Sequence, residues 1–213
     1  MKRGSPARAR ILEAAERLFA DQGFKKVTVR DICRAARVNV AAVNYHFGDK
    51  LRLYEEVLAA ATDAMQQTTD TARRAGEGLG AEQRLRRYLA VFVGRLLASG
   101  GNTRIHRLIH REMNEPTPMF DRLVEKGVRP RVEYLAGLVA EITGRRPSDP
   151  EVLRCVFSIQ AQAVSCLPNP IATRLGFTVT AADAESLARH IADFSLDGLR
   201  GLQAARRRSA ISR

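Results

Sequence analysis

The sequence predicts an all-α protein, on three observations. Apolar residues recur at helical spacing along nearly all of the 213 residues. No run of alternating polar and apolar β-branched residues between turn signals is long enough for a strand. Ser, Thr, Asn and Asp stand before the apolar stripes and Gly stands after several of them, which marks helix starts and stops. A hydrophobic content of 45% with 8 Pro and 15 Gly is that of a globular chain. No stretch approaches ~18 uncharged apolar residues, so no membrane span is expected.

The first helix starts at Ser5, with Pro6 as its first residue, and carries Ile11, Ala15, Leu18 and Phe19 on one stripe. It stops at Gly23, and Phe24 packs back under it. Thr28 and Asp31 form a capping-box start for a short second helix, with Ile32, Ala35 and Ala36 facing inward. After Arg37-Val38, Asn39 caps a third helix through Tyr45, and Asp49 caps a fourth beginning Lys50-Leu51. The glycine-rich stretch Arg73 to Gly80 is a break. Beyond it helices are expected near 81–99, 102–114, 117–143 with a kink at Pro130, 149–166 and 181–205. The last two start at Ser148-Asp149-Pro150-Glu151 and at Thr180-Ala181-Ala182-Asp183. Their apolar faces are Val152, Val156, Ile159 and Ala163, and Leu187, Ile191, Phe194, Gly198 and Leu202.

Charge is unevenly spread. Residues 1–54 hold 12 Lys and Arg against 5 Asp and Glu, so +7 of the net +12 sits in the first quarter of the chain. Such a positive face attracts polyanions, nucleic acid first among them. The Arg206-Arg207-Arg208 tail reads as a solvated end. Basic residues at the N-terminus run into Glu13 and Glu16, which interrupt any export signal. Cys33, Cys155 and Cys166 are odd in number, far apart and without C-x-x-C spacing. They read as small buried hydrophobes in a reducing cytoplasm.

Two short capped helices joined by a three-to-four-residue turn, in the most basic part of the chain, meet the requirements of a helix-turn-helix. The second must lie in the major groove with its first turn near base edges. Small residues at Ala41 and Ala42 allow that approach, and Asn44 can pair with an adenine edge. Val43 points inward with Ile32. Arg30, projecting from the preceding helix, can meet guanine or phosphate.

The stretch from Thr28 to Leu53, TVRDICRAARVNVAAVNYHFGDKLRL, preceded by ILEAAERLFADQGF, resembles the DNA-binding domain of TetR-family transcriptional regulators. The Tyr45-His46-Phe47 end followed by Lys50 is the more specific part of the likeness. The resemblance implies that helix 39–45 reads the major groove, that Tyr45 and His46 approach phosphates, and that Lys50 meets phosphate at the start of helix 4. The candidate DNA-binding set is Thr28, Arg30, Asn39, Val40, Ala41, Asn44, Tyr45, His46 and Lys50. Two positions depart from the family pattern: Arg37 stands where glycine usually ends the turn, and Ala41 where glycine is frequent. A conventional turn would place Arg37 at positive φ, at a cost of ~1 kcal/mol.

The rest of the chain, notably Arg111 to Thr117, resembles the C-terminal ligand-binding domain of a TetR subgroup. This implies a homodimer formed through the last two long helices, in agreement with their apolar stripes. The expected division is a helix-turn-helix domain over 1–54 and a helical sensing and dimerisation domain over 55–213. An effector pocket is expected between helices 81–99, 102–114, 117–143 and 149–166. Its candidates are Phe92, His106, His110, Met113, Phe120, Tyr134 and Gln160. His106 and His110 share a helix face, but no third ligand is apparent, so no metal and no cofactor are expected.

No phosphate loop, nucleophile elbow or Cys/His pair supports catalysis, so the chain is not expected to be an enzyme. A membrane-surface protein would need a basic face opposite Trp and Leu on one helix, and the chain has no Trp. The sequence thus predicts a cytoplasmic, dimeric, DNA-binding regulator, a repressor released from a palindromic operator by a small-molecule effector.

Overall fold

A computed structural model describes residues 5–98, 101–167 and 170–211, with side chains other than those of 101–103, 170, 207 and 209–211. The basic leader Met1 to Gly4 and the side chain of Arg207 lie outside the described residues. Among the described residues the elements are all helical. They are α1 (Pro6–Gln22), α2 (Val29–Ala36), α3 (Val40–Phe47), α4 (Lys50–Ala75), α5 (Ala81–Leu97), α6 (Gly101–Asn114), α7 (Phe120–Leu123), α8 (Arg129–Thr143), α9 (Pro150–Ser165), α10 (Pro170–Arg174) and α11 (Ala184–Ile211). None is long and apolar enough to cross a membrane.

The chain packs as two compact units. The first holds residues up to Ala64 together with Thr103–Gly127, and the second holds Met65–Asn102 and the chain from Val128. This division differs from a boundary after residue 54, because the core of the first unit continues along α4. Ile11, Phe19, Ile32, Val43 and Phe47 pack there with Leu53, Tyr54, Val57 and Leu58, and Leu108 of α6 joins them. Burying side chains of this size contributes about 1.5–3 kcal/mol each.

The helix ends follow local chemistry. Ser5 Oγ accepts from the Arg8 amide at 3.3 Å, ahead of Pro6. Gly23, at φ +83, ends α1 with its N–H on the Phe19 carbonyl at 2.9 Å. Arg10 Nε donates to the Ala36 carbonyl at 3.2 Å and so satisfies the end of α2.

In the second unit, Tyr88, Leu89, Phe92 and Val93 of α5 meet Leu135, Leu138 and Val139 of α8, with α9 and α11 completing the core. Three expectations are corrected here. The stripe Val152, Val156, Ile159 and Ala163 is buried in the core of its own chain, as is Ile191, so these residues are not free to face a partner. The large apolar side chains that α9 and α11 expose are Leu153, Phe157, Val164 and Phe194. The helix expected over 117–143 begins at Phe120 and contains a π-helical turn, Val124–Val128, just ahead of Pro130. Proline has no N–H to offer the preceding turn, and a widened turn absorbs that loss. The short α10 was not expected. All three cysteines are free, two buried and Cys155 half-buried.

Candidate DNA-binding surface

Residues Thr28 to Lys50 build one surface from two capped helices and a tight turn. Thr28 Oγ1 accepts from the Asp31 amide at 3.2 Å, while Asp31 Oδ2 accepts from the Thr28 amide at 3.0 Å and from its hydroxyl at 2.6 Å. Those hydrogen bonds hold the Asp31 carboxyl below its usual pKa. Thr28 is therefore engaged in the cap. Arg30 is exposed on the first turn of α2.

The turn depends on Arg37, at φ 54 and ψ 51, whereas most left-handed positions of this kind hold glycine. Val38 then donates to the Cys33 carbonyl at 3.0 Å and turns the chain into α3. Asn39 Oδ1 accepts from the Ala42 amide at 2.9 Å, so its side chain caps α3.

The two faces of α3 differ sharply. Val43 and Phe47 are buried, and this fixes the helix against α1 and α2. Val40, Ala41, Asn44 and Tyr45 share the opposite face, with Val40 at 42% and Tyr45 at 85% exposure. An aromatic ring so exposed gains little from its own fold and is available to a partner.

His46 is half-buried, with Nε2 3.2 Å from the Ser5 hydroxyl and its ring edge-on to Tyr45 at 5.0 Å. It is thereby tied to the start of α1. Lys50 donates from Nζ to the carbonyls of Phe24 at 2.8 Å and Val27 at 2.9 Å, and sits 4.3 Å from the Phe24 ring centroid. Two of its three donors are spent on the α1–α2 connection, and burial lowers its pKa from the usual lysine value. The expected phosphate contact is thus not where this ammonium chiefly points. Val40, Ala41, Asn44 and Tyr45 come together on one open face, while Thr28, Asn39, His46 and Lys50 hold the scaffold beneath it.

Two residues important to this unit were not among the candidate site residues. Arg111 Nε donates to the Ala20 carbonyl at 3.1 Å, and its guanidinium also reaches the Asp21 carbonyl, so it caps α1 from α6. Glu112 is 1% exposed, an unusual place for a carboxyl group. Its spacing of four from Leu108 puts it on the buried face of α6, and that conflict between charge and face was the available clue.

Residues 81–199, more than half of the chain, match the family described as HTH-type transcriptional dual regulator CecR, C-terminal domain. Residues 11–57 match that described as bacterial regulatory proteins, tetR family. The chain belongs to the TetR family of regulators. Both descriptions are of transcriptional regulators, not of enzymes.

Among curated relatives, the TetR-family chain is 34% identical over 109 residues to the HTH-type transcriptional regulator TtgR of Pseudomonas putida, covering 48% of this chain and 49% of that one. It thus spans about half the length of that relative. The dual regulator CecR of Shigella flexneri is 26% identical over 159 residues, 71% of each chain. Among solved structures, AibR in complex with isovaleryl coenzyme A and operator DNA has the same fold. It superposes with a TM-score of 0.68 over 88% of this chain and 97% of that one, at 18% identity.

In this TetR-family chain the seven residues expected to line a pocket divide between the two units. His106, His110, Met113 and Phe120 belong to the unit that carries α1–α3. Of these, His110 is exposed and bonded to Asn114, whose Nδ2 lies 3.1 Å from Nδ1, and Met113 is 67% exposed. Phe92, Tyr134 and Gln160 belong to the second unit. Phe92 is buried against Tyr88, ring centroids 5.5 Å apart, and Tyr134 lies 6.1 Å from the same Tyr88 ring.

Proposed function

We propose that this chain is a sequence-specific transcriptional regulator, a cytoplasmic repressor that binds a palindromic operator as a homodimer and is released by a small-molecule effector. The observation that carries the reading is the exposed face of α3, where Val40, Ala41, Asn44 and Tyr45 project from a helix fixed by Val43 and Phe47. In a major groove, Asn44 reads an adenine edge, Ala41 permits the approach, and the Tyr45 hydroxyl donates to a phosphate. Arg30 adds a contact from α2, and Lys50 positions the start of α4 against the α1–α2 connection.

A palindrome needs two readers about one DNA turn, ~34 Å, apart. Phe157 of α9 and Phe194 of α11, 60% and 66% exposed, offer the apolar face for a second copy. Effector binding reaches DNA through α4, which starts at Lys50 in the first unit and ends in the second. That AibR is described with operator DNA and isovaleryl coenzyme A supports the reading.

The deciding experiment is selection of random duplex DNA by the full chain at ~150 mM salt, with the Asn44→Ala/Tyr45→Ala variant in parallel. Enrichment of one palindromic site by the wild type alone is expected. Salt-sensitive binding that ignores both sequence and mutation would refute it.

A further inference from the structure

Arg131 is buried in the second unit without a counter-charge. It lies on α8 four residues before Leu135 and seven before Leu138, hence on the buried face, and is 9% exposed. Its guanidinium carbon sits 5.3 Å from the centroid of the Phe92 ring, and its Nε has no hydrogen-bond partner. Arg84, Arg86 and Arg145 of the same unit each reach a carboxylate, on Glu141, Asp193 and Asp149. Among the described residues none pairs with Arg131. A largely buried cation without an anion is an unfavourable arrangement for a core.

The surroundings share the deficit. The hydroxyls of Tyr88, which is wholly buried, and of Tyr134 also lack partners. The two rings are 6.1 Å apart, and Tyr88 stacks on the Phe92 ring that Arg131 covers. Two unpartnered hydroxyls and three aromatic rings therefore meet Arg131 in one patch of the core, where Arg73, itself paired with Asp70, also lies 5.3 Å from the Tyr134 ring centroid and, among the described residues, no carboxylate bonds Arg131 or either phenol. Native cores pair such groups, and a cluster left unpaired on one side calls for an acceptor from outside the chain.

We infer that Arg131, Tyr88 and Tyr134 form the recognition site for an organic carboxylate with an apolar body. The guanidinium fork matches the two carboxylate oxygens, the phenols donate to their remaining lone pairs, and the apolar side chains around them take the apolar part. Burial holds both phenols above the usual tyrosine pKa, so they carry their protons at neutral pH. The assignment gives a chemical class to the effector in the proposed function and rests on that reading for its regulatory meaning.

The test is thermal unfolding of the full chain, without DNA, in acetate, butyrate, octanoate and phenylacetate. Each acid is matched by its neutral amide, and inorganic phosphate is run alongside. A saturable rise in Tm with octanoate or phenylacetate, absent with the amides and with phosphate, is expected. Arg131→Gln should weaken the apparent affinity about 10- to 100-fold and Tyr134→Phe by less. Ligand-free Arg131→Met should melt at or above the wild-type temperature, since it removes an unpaired buried charge.

Equal binding of amides or of phosphate, unchanged affinity in Arg131→Gln, no saturable shift with any acid, or a marked loss of Tm in ligand-free Arg131→Met would each overturn the assignment. DNA selection by α3 involves none of these compounds. Its failure or success is therefore read separately from this site.

Discussion

Tyr54 and Glu112, 58 residues apart in sequence and each 1% exposed, are joined by a hydrogen bond of 2.5 Å from the phenol to Oε1. The other carboxyl oxygen accepts from the Thr117 amide at 3.2 Å and from its hydroxyl at 3.1 Å. The pair fastens the last turns of α6 to the helix that follows α3. Tyr54→Phe leaves a buried acceptor short of one donor, and should cost about 1–3 kcal/mol in urea unfolding. A cycle with Glu112→Gln should show that the two losses are not additive. Additive losses would mean that the two residues do not act as a pair.

The same phenol sets an alkaline limit. Burial first, then the hydrogen bond and the charge of Glu112, push the Tyr54 pKa above its ordinary value of 10.0. A group whose proton is held more tightly in the folded state contributes stability below the unfolded pKa and loses it as pH rises beyond that value. Wild-type stability should therefore fall from about pH 10 upward, and the fall should be shallower in Tyr54→Phe. Identical slopes in unfolding curves taken between pH 9 and 11 would refute the coupling.

Arg37 pays for its place in the turn. At φ 54 its Cβ crowds the backbone, a cost of ~1–2 kcal/mol that glycine avoids. Glycine also loosens the unfolded chain, which returns part of that gain. Arg37→Gly should raise stability by about 0.5–1 kcal/mol, and Arg37→Ala, which keeps the Cβ, should not. The urea midpoint of the two variants, at unchanged slope, decides it.

Asn44 and Lys50 should fail in different ways. Asn44 is exposed, so Asn44→Ala should leave stability within about 0.5 kcal/mol while reducing discrimination between operator and random DNA by ~1–3 kcal/mol. Lys50→Met removes both carbonyl contacts and the Phe24 ring contact. It should cost about 1–3 kcal/mol of stability and weaken both DNAs alike. Paired unfolding and binding titrations separate the two, and loss of discrimination by Lys50→Met alone would reverse the roles.

These contrasts show what sequence conveys and what it does not. Caps at Ser5, Thr28, Asn39 and Asp149 were legible because each bond closes within two or three residues. The two faces of α3 were legible because a period of 3.6 separates Val43 and Phe47 from Asn44 and Tyr45. The bonds of Lys50, of Arg111 to the end of α1, and of Glu112 to Tyr54 span from 23 to 91 residues, and nothing local encodes them. Periodicity also says that a face is buried without saying against what. The α9 stripe of Val152, Val156, Ile159 and Ala163 therefore suited a partner as well as its own core until packing placed it in the latter.

With that stripe consumed internally, the proposed dimer depends on other residues, and this yields a sharp test. Phe157 and Phe194 are large, apolar and exposed, and Gly198 and Gly201 on α11 have open space where a Cβ would stand, so another helix can approach closely there. In a two-fold interface each substitution acts twice. Burying one phenylalanine contributes about 1.5–3 kcal/mol, so Phe157→Glu or Phe194→Glu should cost about 3–6 kcal/mol of association, a rise of at least ~100-fold in Kd. Neither side chain belongs to the core, so helicity and the unfolding of the single chain should change little. Sedimentation velocity at micromolar concentration should then find a dimer for the wild type and a folded monomer for either variant. A variant that stays dimeric would move the interface elsewhere on the second unit.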